Sequence, residues 1–338
     1  MNKIRVGIVG STGYTALEVA RLLIEHPDAK VVAATSRADA GKLLAEVHPS
    51  LAGRCDVRIE TLDAEKMAGQ CDVVMCCLPH GASAETVKQL VAHRTRVVDF
   101  SADFRLSSVE LYEKWYGVTH PWPQRIGSTV YGMPEFFRDQ IREADVVANP
   151  GCFPTSAILP LAPLVSADLI EGDDIIVDSK TGVSGAGRSP KLGTLYCEAN
   201  ESIAAYGVGQ HRHQPEIDDL VQRIAGQDIK TIFTPHLTPM DRGILSTIYV
   251  RPRAGVSKDE IMDCWNEKFS QSQFVNAVSH LPATKHVAGT NYVQMTAREN
   301  GNRIILVCAI DNLAKGASGA AIQNMNVMFS LDEGSGLG

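Results

Sequence analysis

Gly7-x-x-Gly10-x-x-Gly13 is the feature that most restricts this chain. It sits between an apolar run, residues 4–9, and a stretch with Ala16, Leu17, Ala20, Leu23 and Ile24 at helical spacing. His26-Pro27-Asp28 stops that helix, and Lys30–Thr35 reads as a second strand. A strand, a glycine turn, an amphipathic helix and another strand make a βαβ unit, which demands a parallel sheet. Further strands fit Val73–Leu78, Val97–Phe100 and Asp145–Ala148, alternating with helices. The expected class is α/β, with a Rossmann-type doubly wound parallel sheet over residues 1–150.

After residue 150 the pattern changes. Residues 175–179, 230–233, 244–250 and 304–308 read as strands with longer and more varied connections. This predicts an α+β domain with a mixed or antiparallel sheet over 151–312. Residues 313–330 would form a C-terminal helix packed back on the first domain, and the Gly- and Ser-rich tail from Ser330 to Gly338 would fray. A chain of 338 residues is long enough for two cores.

The glycine turn carries a chemical expectation as well. Such a turn lets a pyrophosphate approach the backbone and meet a helix N-terminus. Gly7, Gly10, Ser11, Thr12, Gly13 and Tyr14 are the candidate contacts. At the end of the second strand an acidic residue would select NAD; here Thr35-Ser36-Arg37 offers a hydroxyl and a guanidinium instead. Ser36 and Arg37 therefore predict NADP(H).

Asn149-Pro150-Gly151-Cys152-Phe153-Pro154-Thr155 places a thiol in a tight turn that opens onto an apolar helical run. Unpaired N–H groups and the positive end of a helix dipole favour the thiolate, the nucleophilic form. His211-Arg212-His213-Gln214-Pro215-Glu216 is the densest ionisable cluster. Imidazole suits proton transfer at neutral pH, so His211 is the candidate acid/base, with His213 and Glu216 as positioning or substrate contacts. The loop Lys180–Arg188 is glycine-rich and ends in a cation able to hold an anion. Ser179, Lys180 and Arg188 from this stretch, with Arg105 after the fourth strand, are candidate substrate contacts, and Gly182 a candidate cofactor contact. A nucleophilic cysteine beside a dinucleotide cofactor suggests reduction of a thioester by hydride, or its reverse.

Other classes fit less of the chain. The eight cysteines contain no C-x-x-C pair, and His-x-His lacks companions for a metal set, so no metal is expected. No G-x-S-x-G elbow supports serine hydrolysis. A net charge of −7 argues against nucleic acid, and the absence of a long apolar run argues against a membrane helix. The N-terminal residues carry no secretory h-region, so a cytoplasmic location is expected. A Cys-His acyltransferase would leave Gly7–Gly13 unexplained; a dinucleotide-binding sensor would leave Cys152 unexplained.

Read together, Gly7–Gly13, Asp99–Arg105, Tyr131–Glu135, Asn149–Thr155, Ser179–Arg188, His211–Ile217 and Thr234–Gly243 resemble the N-acetyl-γ-glutamyl-phosphate reductase family, siblings of the aspartate-semialdehyde dehydrogenases. The resemblance covers nearly the whole chain. It implies attack by Cys152 on an acyl phosphate, loss of inorganic phosphate, oxyanion support from Asn149, and protonation by His211. It also implies a homo-oligomer, a dimer or tetramer. Aminoadipyl- and aspartyl-phosphate reductases are the related alternatives.

Overall fold

A computed structural model describes residues 3–338; Met1 and Asn2, the first two residues of the expected 1–150 domain, lie outside them. Two compact units emerge, one from the residues up to Pro150 with Ala317–Gly338, the other from Gly151–Gly316.

The first unit is built on seven strands: β1 (Ile4–Val9), β2 (Ala29–Thr35), β3 (Ile59–Glu60), β4 (Val73–Cys76), β5 (Arg96–Asp99), β6 (Val130–Tyr131) and β7 (Val146–Ala148). Their order is β3-β2-β1-β4-β5-β7-β6, with every pairing parallel. Crossovers run through α1 (Tyr14–Glu25), α2 (Leu44–Val47), α3 (Ala64–Gln70), α4 (Ser83–Ala92), α5 (Val109–Tyr116) and α6 (Pro134–Glu143). Strand β4 is buried along its whole length, as expected of a strand covered on both faces. The two-residue strands β3 and β6 escaped the sequence reading because two residues carry no periodicity.

The second unit begins with α7 (Cys152–Ser166), then β8 (Ile175–Gly182), α8 (Tyr196–Ala199), β9 (Ala204–Ala205), α9 (His213–Ala225), β10 (Thr231–Thr238), β11 (Ile244–Val250), α10 (Lys258–Lys268), β12 (Val275–Ala277), α11 (Thr284–Val287), β13 (Val293–Asn300) and β14 (Arg303–Ile310). Its sheet has the order β12-β13-β14-β11-β8-β10-β9 and is mixed. Residues on β8, β10 and β11 alternate between buried and half-exposed. One face thus packs under helices and the other stays open.

Helix α7 is buried from Phe153 to Val165 and is apolar all round, the signature of a core helix. Pro160 and Pro163 lie inside it. Each removes an N–H from the ladder. The prolines' own carbonyls are used by neighbours: Trp265 Nε1 donates to the Pro160 carbonyl at 2.9 Å, and Ala167 N to that of Pro163 at 3.0 Å.

After β14 a π-helical turn, Ala314–Ser318, leads into α12 (Gly319–Met328), every residue of which is buried. The tail beyond it does not fray. Asn326 Nδ2 donates to the carbonyls of Glu333 at 3.1 Å and Ser335 at 2.9 Å, and Gln323 Nε2 to Glu333 Oε1 at 2.7 Å. Leu337 is buried, and Gly336 lies directly against the His26 ring. Glycine and serine allow this tight path; the amides of α12 hold it.

Candidate active site

In the first unit the glycine stretch divides into two jobs. Gly7 lies within β1, where a Cβ would fall 2.6 Å from Met67 Sδ and 2.8 Å from Cys71 Sγ. It is a packing glycine that admits α3, not a ligand contact. The turn itself is Gly10 to Gly13. Gly10 has φ +77°, and a Cβ there would meet the Cys77 carbonyl at 2.7 Å. Gly13 caps α1 without any side-chain hydrogen bond, and a Cβ there would find nothing nearer than Thr15 Oγ1 at 3.9 Å. Ser11 is fully buried, yet its hydroxyl makes no hydrogen bond. An open helix N-terminus beside a buried hydroxyl without a partner fits a phosphate. His48 Nε2 lies 2.8 Å from the Ser11 carbonyl and fixes the turn from behind. Thr12 and Tyr14 flank it; Ser36 is half-exposed with its N–H on the Glu60 carbonyl, and Arg37 is exposed.

Beyond β5 lies a buried acidic knot. Asp103, fully buried, accepts from Gly81 N at 2.8 Å, Ala84 N at 3.0 Å and Tyr112 OH at 2.9 Å, so it caps α4. Asp99 accepts from the Ser83 and Ser101 hydroxyls. Burial pushes its carboxyl up to about 6, against the pull of those two hydrogen bonds. Arg105, also buried, donates from Nη2 to the Phe100 carbonyl at 2.7 Å. Asn149 has its amide directed to the C-terminal segment: Nδ2 donates to the Ala317 carbonyl at 2.9 Å, and Oδ1 accepts from Asn324 at 3.1 Å.

In the second unit Cys152 is the first residue of α7, with Gly151 as its cap. The thiol therefore occupies a helix N-terminus with no acidic residue in the first turn. Glu216, 1% exposed on α9, accepts from Gly151 N at 2.9 Å. Glu216, expected to touch substrate, grips the backbone beside Cys152. His211 sits in an aromatic box. Its ring centroid lies 5.7 Å from Phe153, 5.3 Å from Phe233, 5.5 Å from Tyr206 and 4.9 Å from His213. His211 Nδ1 accepts from His213 N at 3.2 Å, so the two rings share one side. Burial, helped by the Arg212 charge, lowers the His211 pKa to about 4. The imidazole is neutral at physiological pH and able to accept a proton. Tyr206 was not foreseen. Desolvation, and then the charge on Cys152, push its phenol up. The only sequence hint was an aromatic residue five positions before His211.

Three other candidates land elsewhere. Ser179 is fully buried on the helix-covered face, with Oγ 2.7 Å from Ser246 Oγ, which in turn lies 2.7 Å from Ser156 Oγ. It is a core residue rather than a substrate contact, because its strand alternation points it under α7. Lys180 points to the open face and pairs with Asp178 at 2.9 Å. Gly182 is glycine because the loop after β10 crosses it: a Cβ would lie 2.7 Å from the Asp241 carbonyl carbon. The turn that follows is pinned, with Val183 N on the Met240 carbonyl at 2.8 Å and Ser184 Oγ on that of Asp241 at 2.6 Å. Beyond Gly187 the segment reaches Arg188, which is exposed.

A parallel dinucleotide-type sheet and a cysteine-bearing second unit define the dehydrogenase class to which the comparisons also lead. Residues 5–144 match the model for the semialdehyde dehydrogenase NAD binding domain, and residues 152–312 that for the semialdehyde dehydrogenase dimerisation domain. The fold is similar to aspartate semialdehyde dehydrogenase II from Vibrio cholerae, with a TM-score of 0.73 at 18% identity over 98% of this chain and 99% of the other. It is also similar to the Candida albicans aspartate semialdehyde dehydrogenase with NADP, with a TM-score of 0.69 at 16% identity over 97% and 99%. In sequence the chain is 68% identical to the N-acetyl-γ-glutamyl-phosphate reductase of Rhodopirellula baltica over 99% of both chains. Against that of Desulforudis audaxviator it is 45% identical over 99% of this chain and 98% of the other. The chain belongs to the N-acetyl-γ-glutamyl-phosphate reductase family of the semialdehyde dehydrogenases.

Proposed function

We propose that this chain reduces N-acetyl-L-glutamyl 5-phosphate to N-acetyl-L-glutamate 5-semialdehyde with NADPH, releasing phosphate, as a step of arginine biosynthesis. Full-length identity to reductases of that name supports the reaction. The observation that carries the chemistry is Cys152 at the N-terminus of α7, with neutral His211 against the ring of the adjacent Phe153 and Tyr206 against His211.

In this mechanism His211 accepts the thiol proton as Cys152 Sγ attacks the acyl carbon. The carbon–oxygen bond to phosphate breaks, and a thioester remains on Cys152. Backbone N–H groups at the start of α7 and the Asn149 amide stabilise the oxyanion. The nicotinamide, when bound, supplies the hydride that reduces the thioester. His211 returns its proton to the departing sulfur as the carbon–sulfur bond breaks, releasing the aldehyde and restoring the Cys152 thiol. Splitting the reduction through sulfur replaces one difficult step with two easier ones. Ser11, Thr12 and the backbone of Gly10–Gly13 hold the cofactor phosphates. Ser36 and Arg37 hold a 2′-phosphate, which makes NADP(H) the preferred form. Arg105, Arg188 and His213 are the groups proposed for the substrate's anionic ends.

We propose further that the open face of the second sheet is covered by a second copy of the chain. The match to a dimerisation domain supports this, as does Ile232, 64% exposed on β10. Among the described residues no helix is long and apolar enough to cross a membrane.

The test is phosphate-dependent reduction of NADP⁺ with N-acetylglutamate semialdehyde, run beside aspartate semialdehyde and the aminoadipate analogue. Preference for the first is the expected result. Equal or greater rates with another would reassign the substrate.

A further inference from the structure

Gly316 lies against the nucleophile. A Cβ built on it would fall 2.9 Å from Cys152 Cβ and 3.3 Å from Cys152 Cα, so no side chain fits without displacing Cys152. The backbone there is not α-helical. Ala314–Ser318 is a π-turn, and Gly316 N donates to the carbonyl of Asp311, five residues back, at 2.9 Å. Such bulges widen a helix locally and need something to hold them.

Asp311 does the holding. It is fully buried. Its Oδ1 accepts from Leu313 N at 2.8 Å and Ala314 N at 2.9 Å, which bends the chain into the turn. Its Oδ2 accepts from Gly289 N at 2.6 Å. Arg242 binds both oxygens, Nε to Oδ2 at 2.9 Å and Nη2 to Oδ1 at 3.0 Å. A bidentate Arg–carboxylate pair fixes orientation as well as charge. The carboxylate thus ties the π-turn to the loop after β10 and to Gly289, two residues after α11.

We propose that Asp311 and Gly316 are positioning residues for the reaction: Asp311 fixes the π-turn, and the bare backbone of Gly316 forms the wall that aims the Cys152 thiol. This rests on the reading of Cys152 as nucleophile. A displaced nucleophile loses rate rather than cofactor affinity, because misplacement by about 1 Å costs on the order of 10² in rate.

The experiment uses the full chain with Gly316→Ala, the near-isosteric Asp311→Asn, and Cys152→Ser as reference. Steady-state kinetics are combined with melting curves and with iodoacetamide alkylation of Cys152 across pH, followed by mass spectrometry. Gly316→Ala is expected to melt as a folded protein and to lose about 10² in kcat. Its KM for NADPH should stay within about twofold and its alkylation profile should be displaced along the pH axis. Asp311→Asn should shift kcat and the alkylation profile in the same direction by less, which keeps the claim open to test if Gly316→Ala does not fold. Wild-type kcat and a superimposable alkylation profile in either folded variant, beside an inactive Cys152→Ser, would overturn this proposal alone. Turnover by Cys152→Ser would overturn the nucleophile reading and this proposal with it.

Discussion

The two units build their candidate sites by different means. In the first, the turn from Gly10 to Gly13 offers a helix N-terminus without a side-chain cap and one buried hydroxyl, and its geometry comes from consecutive residues. In the second, Cys152, the Tyr206–His211 segment and Gly316 come from three separate stretches, and the first two bring side chains to the candidate site. A backbone site needs only the right φ values and an open helix end, so a short motif specifies it. A side-chain site needs a scaffold, which explains why the buried side chains of Glu216 and Asp311 hold backbone near the thiol, with Arg242 paired to Asp311. Losses should therefore be large and chemical in the second unit, and smaller and structural or affinity-based in the first.

The largest effect should come from His211→Asn. A lost acid/base lowers kcat by about 10² to 10⁴, with NADPH binding unchanged; if only His213→Asn had this effect, the two roles would be exchanged. His211 also carries a pH signature. Its folded pKa of about 4 is below the ordinary 6.5, so between these values the unfolded chain binds more protons. Its contribution to stability is complete above 6.5 and is lost as pH falls toward 4, amounting to roughly 3 kcal/mol at most. Fully buried Asp99 and half-buried Asp218, both raised to about 6, act in the opposite sense and lose stability as pH rises through that value. Urea titrations from pH 4 to 8 should show the His211→Asn variant with the shallower loss on the acid side.

Gly7→Ala breaks the comparison from the other direction. The added methyl would press on Met67 and Cys71. Overpacking of this kind costs about 1–3 kcal/mol, read as a lowered Tm, while KM for NADPH stays near wild type. A selective rise in KM would return Gly7 to the cofactor turn. Smaller still is Arg37→Asp, which should raise KM for NADPH far more than for NADH. Equal changes would remove Arg37 from cofactor selection.

The sequence made the first sheet legible because buried parallel strands read as short apolar runs and the glycine spacing marked the crossover. The cysteine turn was legible for the same reason: Pro-Gly ahead of an apolar helical run is a local signal, and α7 indeed begins at Cys152. What stayed hidden depended on distance along the chain. Ser179 read as a site residue because its motif is glycine-rich, but strand alternation sends it into a core of three serines. Gly316 read as part of a helix start, since nothing local says that residue 152 lies against it. The tail read as frayed because its composition is that of a linker, whereas the buried amides of α12 bind its carbonyls.

The account turns on sulfur carrying the acyl group. Wild-type protein mixed with N-acetylglutamyl phosphate without NADPH, quenched in acid and digested, should give one acyl adduct, located on the peptide containing Cys152, together with one equivalent of phosphate. Adding NADPH before the quench should discharge it as the semialdehyde. A protein that turns over at its full rate with NADPH, yet shows neither the Cys152 adduct nor the phosphate burst, would contradict the covalent route.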